Sequence, residues 1–199
     1  EAGADGALIA CPYYNKPTQE GLYRHYELIA QSVPIPIIPY NIPGRTGVNM
    51  SPELIARLSE IKNIVGIKEA SGSLKQMNDV IDMCPPAFDV LSGDDGVTLP
   101  LMAIGGKGVI SVASNVVPAD MAAMVEAARA GDFKKAGELH KKMSCLFDLL
   151  FIEVNPTPVK AALAMMGKIE YEYRLPLCPM AQANYEKLKE ALLDYGLIT

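Results

Sequence analysis

Five short apolar runs punctuate the first two thirds of the chain, at 7–11, 35–40, 64–68, 88–92 and 109–112. Each is bounded by Gly, Pro, Asn or Ser and is too short for a helix, so each predicts a buried strand. Between them lie segments with helical spacing of apolar positions. Thr18 opens one of these, with Leu22, Tyr26, Ile29 and Val33 on one face. Ser51-Pro52-Glu53 opens the next, with Ser as N-cap and Pro in the first turn. Ser73 and Gln76 form a capping box for a third, and shorter helices are predicted at 97–104 and 118–130. The run at 35–40 carries three flanking or internal prolines, which would ordinarily demote it to an edge strand. The helix–strand rhythm retains it.

After Gly131 the rhythm stops. Three helices follow with no strand between them, at 132–151, 155–166 and 181–195. The first carries a stripe of Ala136, Leu139, Met143, Leu146 and Leu150. The predicted division is therefore 1–131 for the strand–helix units and 132–199 for a helical domain. Consecutive strand–helix units imply parallel strands joined by right-handed crossovers. An open doubly wound sheet and a TIM (β/α)8 barrel both accommodate them. The chain has no initiating Met, and residues 1–6 read as a helix end, a glycine cap and a turn into a strand. Five units, such a start and a helical tail predict an α/β fold: a TIM barrel lacking its first three βα units, plus a C-terminal three-helix domain.

Composition narrows the function classes. Of 199 residues, half are hydrophobic and 21% are charged, as in ordinary globular proteins. A net charge of -5 without a basic cluster argues against nucleic acid and anionic membranes as partners. The longest uncharged stretches are broken by prolines and are not membrane spans, and no stretch reads as a secretory leader. Cys11, Cys84, Cys145 and Cys178 are scattered without a CxxC, which reads as free thiols in a reducing cytoplasm. The two histidines, His25 and His140, fall on helical patterns and are too few for a histidine-based metal site.

In either parallel architecture the chemistry collects at the carboxyl ends of the strands. Tyr13, Tyr14, Tyr40, Arg45, Lys68 and Asp94 all sit at or just beyond those ends. Lys68 closes the third run and shares a strand face with Ile64 and Gly66, where Gly66 leaves room beside it. A desolvated lysine keeps a free amine at neutral pH, and that amine can attack a ketone to form a Schiff base. Tyr40 ends the preceding strand and would serve it as proton donor and acceptor. Arg45, in a Gly-flanked loop, can hold a carboxylate through paired hydrogen bonds. Asp94-Asp95 reads better as a helix cap than as a metal ligand pair. Gly105-Gly106-Lys107-Gly108 precedes a strand, the wrong end for a phosphate loop. Lys160, one turn into a helix, is a rival nucleophile whose default is solvation.

Several spaced motifs carry a family resemblance. Tyr40-Asn41-Ile42-Pro43-Gly44-Arg45-Thr46-Gly47 is followed by Gly66-Ile67-Lys68-Glu69. Pro12-Tyr13-Tyr14-Asn15, Leu91-Ser92-Gly93-Asp94-Asp95, Gly108-Val109-Ile110-Ser111 and Asn155-Pro156-Thr157-Pro158-Val159-Lys160 flank them. Together they resemble the dihydrodipicolinate synthase and N-acetylneuraminate lyase family of pyruvate-dependent class I aldolases, over the whole chain. The resemblance implies a lyase of lysine and diaminopimelate biosynthesis that condenses pyruvate with aspartate 4-semialdehyde to 4-hydroxy-tetrahydrodipicolinate, needing no cofactor or metal. Lys68 would form the Schiff base, Tyr40 would be the general acid/base and Tyr14 would complete a proton relay in a neighbouring subunit's site. Arg45 would receive the aldehyde, while Ile110 (through its backbone) and Gly93 would lie against substrate. Tyr13 would remain from an allosteric lysine pocket, and the assembly would be a cytoplasmic homotetramer, a dimer of dimers. The arginine favours this branch over N-acetylneuraminate or keto-deoxy-sugar-acid lyases, which share the lysine chemistry. A non-catalytic keto-acid-binding relative is the further alternative.

Overall fold

The computed structural model describes residues 3–199. The helix end expected at Glu1 and Ala2 lies outside the described residues. Gly3, the expected cap, has the left-handed φ of +78°.

Five parallel strands form one sheet in the order β1-β2-β3-β4-β5, the order of the chain. They are β1 (Ala7–Ala10), β2 (Ile37–Asn41), β3 (Gly66–Glu69), β4 (Asp89–Ser92) and β5 (Gly108–Val109). Crossovers run through α1 (Gln19–Ser32), α3 (Pro52–Ser59), α4 (Leu74–Met83) and α5 (Thr98–Ala103). An extra single-turn helix, α2 (Pro43–Thr46), occupies what the sequence reads as an open loop. Four residues carry no periodicity, so no pattern announces it.

The helix starts follow from the capping residues. Thr18 Oγ1 accepts from Gly21 N at 3.2 Å, Ser51 Oγ from Leu54 N at 3.3 Å and Ser73 Oγ from Gln76 N at 3.2 Å. On α1, Leu22, Tyr26 and Ala30 are buried, and Ile29 and Val33 pack against them from the margin. These meet Ile37, Ile55, Leu58, Ile64, Ile67, Met77 and Val80 in one continuous core.

β2 is an interior strand despite its prolines. It begins at Ile37, after Pro34 and Pro36, and contains only Pro39. Pro39 has no N–H to give, and the β2–β3 ladder is interrupted there. Ile37 bridges Ile64, and pairing resumes as Tyr40↔Lys68 and Asn41↔Glu69. Between those two pairings β3 carries one residue more than β2. The proline is tolerated inside the sheet because this extra residue absorbs the missing bond.

Two compact units emerge, Glu1–Ile110 and Ser111–Thr199. The sheet belongs to the first. The second comprises α6 (Pro118–Arg129), α7 (Phe133–Leu149), α8 (Thr157–Met165) and α9 (Gln182–Tyr195). Because α6 packs along α7, the division falls before α6, whereas the strand–helix rhythm placed it at Gly131. On α7, Ala136, Met143, Leu146 and Phe147 are buried, close to the expected stripe. Tyr195 and Lys142 both donate to Asp120 Oδ2, at 2.5 and 2.7 Å, tying α6, α7 and α9 together. Among the described residues no helix is long and apolar enough to cross a membrane, and the four cysteines are free thiols.

Candidate functional site

The ends of β2, β3 and β4 bring the predicted residues together. Register pairs Tyr40 with Lys68 and Lys68 with Leu91. Lys68 is 9% exposed, and its Nζ lies 4.2 Å from the centroid of the Tyr40 ring. Burial pushes the lysine below its ordinary value. The positive charge of Arg45 pushes the same way, and the negative charge of Asp95 opposes both. Burial pushes the Tyr40 phenol up, against Arg45 and with Asp94. Arg45 is therefore close enough to act on both groups, although its place on α2 leaves it exposed. A lysine held toward its free-amine form beside a protonated phenol is a nucleophile with a proton source.

Gly93 is the third wall. Its N–H donates to Glu69 O at 2.8 Å, which sets it directly after β4. A Cβ there would stand 2.7 Å from Ala70 Cβ, 3.1 Å from Lys68 Cε and 3.2 Å from Tyr40 Cε2. Only glycine leaves the lysine and tyrosine side by side. Gly66 corrects the expectation of open space next to Lys68. A Cβ on it would fall 2.5 Å from Asp89 O, so the missing side chain admits the backbone of β4 and opens no cavity.

The other predicted residues take different places. Ile110 N donates to Ser92 O at 2.9 Å, so any backbone contact with a ligand falls to its carbonyl. Tyr13 and Tyr14 are 72% and 89% exposed on the loop after β1, and Tyr14 has φ +66°. Both rings lie open on the surface of the unit. Asp94 caps the turn after β4, its Oδ1 accepting from Gly96 N at 2.8 Å, as the capping reading predicts. Lys160 is not simply solvated: its amine donates to Glu172 O and lies 4.9 Å from the centroid of the Tyr173 ring. His140 packs edge-on to Phe147, and desolvation lowers its pKa.

Two residues that the sequence reading passed over are fully buried beside this group: Asn41 and Glu69, each 0% exposed. They follow Tyr40 and Lys68 by one position and point to the other side of the sheet. Asn41 Nδ2 donates to Glu69 Oε2 at 3.0 Å, and Ser71 N donates to Glu69 Oε1 at 2.6 Å. A signal existed in the sequence: an acidic residue inside an apolar strand must find partners, and the polar residue at the same place in the neighbouring strand is the first candidate. Asp95, read from the sequence only as part of a helix cap, is 2% exposed and acts on Lys68 through its charge.

The family model of the dihydrodipicolinate synthetase family matches residues 1–194. The chain belongs to that family. A 4-hydroxy-tetrahydrodipicolinate synthase of Syntrophus aciditrophicus is 68% identical over 198 residues, spanning 100% of this chain and 68% of the relative. The crystal structure of dihydrodipicolinate synthase from Aquifex aeolicus superimposes with a TM-score of 0.96 at 51% identity, over 98% of this chain and 67% of that one. The chloride-inhibited enzyme of Acinetobacter baumannii, solved with pyruvate, superimposes with a TM-score of 0.96 at 48% identity, over 98% and 67% respectively.

Proposed function

We propose that this chain carries the catalytic strand ends of a 4-hydroxy-tetrahydrodipicolinate synthase, a lyase condensing pyruvate with aspartate 4-semialdehyde. The observation that carries the reading is the pairing of a desolvated Lys68 with Tyr40 in a family whose named relatives have this activity. The Lys68 amine attacks the ketone carbon of pyruvate. The resulting carbinolamine loses water through a proton that Tyr40 supplies, leaving the Schiff base. Tyr40, left as a phenolate, takes a proton from the adjacent methyl group to give an enamine, whose carbon attacks the aldehyde as the phenol returns that proton to the forming alkoxide. Gly93, having no side chain, lets Lys68 and Tyr40 approach each other for these steps. Arg45 takes the carboxylate of the aldehyde by paired hydrogen bonds and so distinguishes it from a neutral sugar chain.

The finer assignments rest on the same footing. We read the five units as five of the eight of a TIM barrel, with the helices after β5 as its helical domain. We read Tyr14 as a relay group offered to a second subunit of a dimer of dimers, in keeping with its exposure and left-handed backbone. Tyr13, beside it, is the candidate for a lysine effector pocket, and the carbonyl of Ile110 for a pyruvate contact.

Borohydride reduction of the intact enzyme with pyruvate tests the central claim. The expected result is a pyruvyl adduct on the Lys68 peptide, absent from Lys68→Met. Labelling at Lys160 instead would reject it. Faster cleavage of a sugar-derived keto acid than use of the semialdehyde would turn the assignment toward the lyase branch.

A further inference from the structure

The buried pair on the far side of the strands belongs to a longer network. Asn41 Oδ1 accepts from Met50 N at 3.0 Å, and its Nδ2 donates both to Glu69 Oε2 and to Asn49 Oδ1, at 3.0 and 2.8 Å. Asn49 Nδ2 donates to Gln76 Oε1 at 2.8 Å. Gln76 Nε2 donates to Asn49 Oδ1 and Met50 O, both at 3.2 Å, and reaches Glu69 Oε2 at 3.4 Å. Gln19 of α1 donates to Asn49 O at 2.8 Å and accepts from Ser51 N at 2.9 Å.

Backbone partners fix every amide orientation in this set. Met50 N can only donate, so the oxygen of Asn41 faces it. Met50 O can only accept, so the nitrogen of Gln76 faces it. Asn49 is then determined by both. What reaches Glu69 is N–H groups alone, directly from Asn41 and Ser71 and at a longer 3.4 Å from Gln76. An acceptor-only carboxylate is the side chain that matches them.

The network has one mechanical consequence. The segment from Ile42 to Met50 carries Arg45 on α2. At its start it continues from β2, and at its end Asn49 and Met50 are fastened to β2, α1 and α4, whose Asn41 and Gln76 in turn reach Glu69 of β3. Within it, Thr46 Oγ1 donates toward Ile42 O and Val48 O, each 3.0 Å away, which closes the loop on itself.

We propose that Glu69 and Asn41, acting through Asn49 and Gln76, are positioning residues that hold the Arg45 loop against the strand ends bearing Lys68 and Tyr40, and so set the affinity for an acidic aldehyde. This inference rests on the synthase reading above. Neither residue touches substrate. They act by fixing where the guanidinium stands relative to the Schiff base, and a shift of about 1 Å in such a group is costly.

Steady-state kinetics of the intact enzyme test it. Asn49 is exposed, so Asn49→Ala tests the link without emptying the core, and Glu69→Gln tests its root. Each is expected to raise the KM for aspartate semialdehyde about tenfold, the scale of one or two hydrogen bonds lost from the brace. The KM for pyruvate and the yield of borohydride-trapped adduct on Lys68 stay unchanged. In an Arg45→Ala background, Asn49→Ala is expected to add nothing further, because it acts through the arginine. Additive effects, parallel changes in both KM values, or no change would overturn the proposal. If the wild-type enzyme traps pyruvate and uses the semialdehyde while Asn49→Ala matches it, only the positioning claim falls. If the wild type traps no pyruvate, the functional reading falls and takes this one with it.

Discussion

Lys68 and Glu69 are chain neighbours, both buried, on opposite sides of one strand, and the fold treats their charges in opposite ways. Glu69 receives hydrogen bonds from Asn41, Ser71 and Gln76 and is held by every element around it. The Lys68 amine meets the face of an aromatic ring, and its charged form is penalised by burial. A satisfied buried charge fixes geometry; a desolvated one stores reactivity. The strand places the reactive group one residue from its own brace, since alternation sends adjacent side chains to opposite faces.

The largest effect should come from breaking the satisfied side. Glu69→Leu leaves the N–H donors of Asn41 and Ser71 facing an apolar group, and the expected loss of stability is about 3 kcal/mol or more. Urea unfolding should show a lower midpoint with little change in slope. A loss below about 1 kcal/mol would mean that water replaces the carboxylate, and that the network is not a brace.

Next comes the wall between the two side chains of the reactive face. Gly93→Ala brings a methyl to 2.7 Å from Ala70 Cβ and 3.1 Å from Lys68 Cε. Overpacking of this kind costs about 1–3 kcal/mol. The more telling result is chemical: the rate of borohydride trapping at Lys68 should fall, while Gly44→Ala, whose Cβ meets nothing within 4 Å, should leave the strand ends in place. Equal trapping in wild type and Gly93→Ala would show that the lysine has room elsewhere.

The two faces were unequally legible in the sequence. Lys68 and Tyr40 announced themselves because each is chemically conspicuous at the end of an apolar run, and Arg45 because it stands in the Gly-flanked loop just beyond one. Asn41 and Glu69 did not, since their meaning lies in a pairing across strands that no local pattern displays. The strands were visible as apolar runs and the helix starts as capping residues, because both are local signals. Pro39 inside β2 was not explicable locally: its tolerance depends on an extra residue in β3. The role of Gly66 was misjudged for a similar reason, because what fills the space beside it is the backbone of β4, far along the chain. The same distinction explains Cys11. Its position suggested an ordinary free thiol, yet burial pushes it up to about 11 and the nearby Glu69 adds to the effect against a hydrogen bond from Tyr26. Alkylation at neutral pH should therefore modify the exposed Cys145 and Cys178 and spare Cys11.

The smallest effect on stability, and the one that sharpens the comparison most, is the reverse substitution on the reactive face. Lys68→Met keeps an unbranched chain of similar length and removes the charge that burial penalises. It should abolish Schiff-base formation and yet stabilise the fold at neutral pH, by on the order of 1 kcal/mol. The pH dependence carries the sign. Lys68 binds its proton more weakly in the folded protein than in the unfolded chain, because burial lowers its pKa. Below the folded value both states are protonated, and the wild type bears the full cost of a buried ammonium. As pH rises between the folded value and the unfolded lysine range near about 10.4, the unfolded chain holds the extra proton and wild-type stability climbs. The methionine variant has no such group. The gap between the two should therefore be widest below the folded value and close as pH rises from there toward the unfolded lysine range, with other titrating groups cancelling in the difference. Paired urea titrations across that range would measure it. A variant less stable than wild type at neutral pH would mean that the contact with the Tyr40 ring outweighs desolvation, and that Lys68, like Glu69, is a stabilising charge.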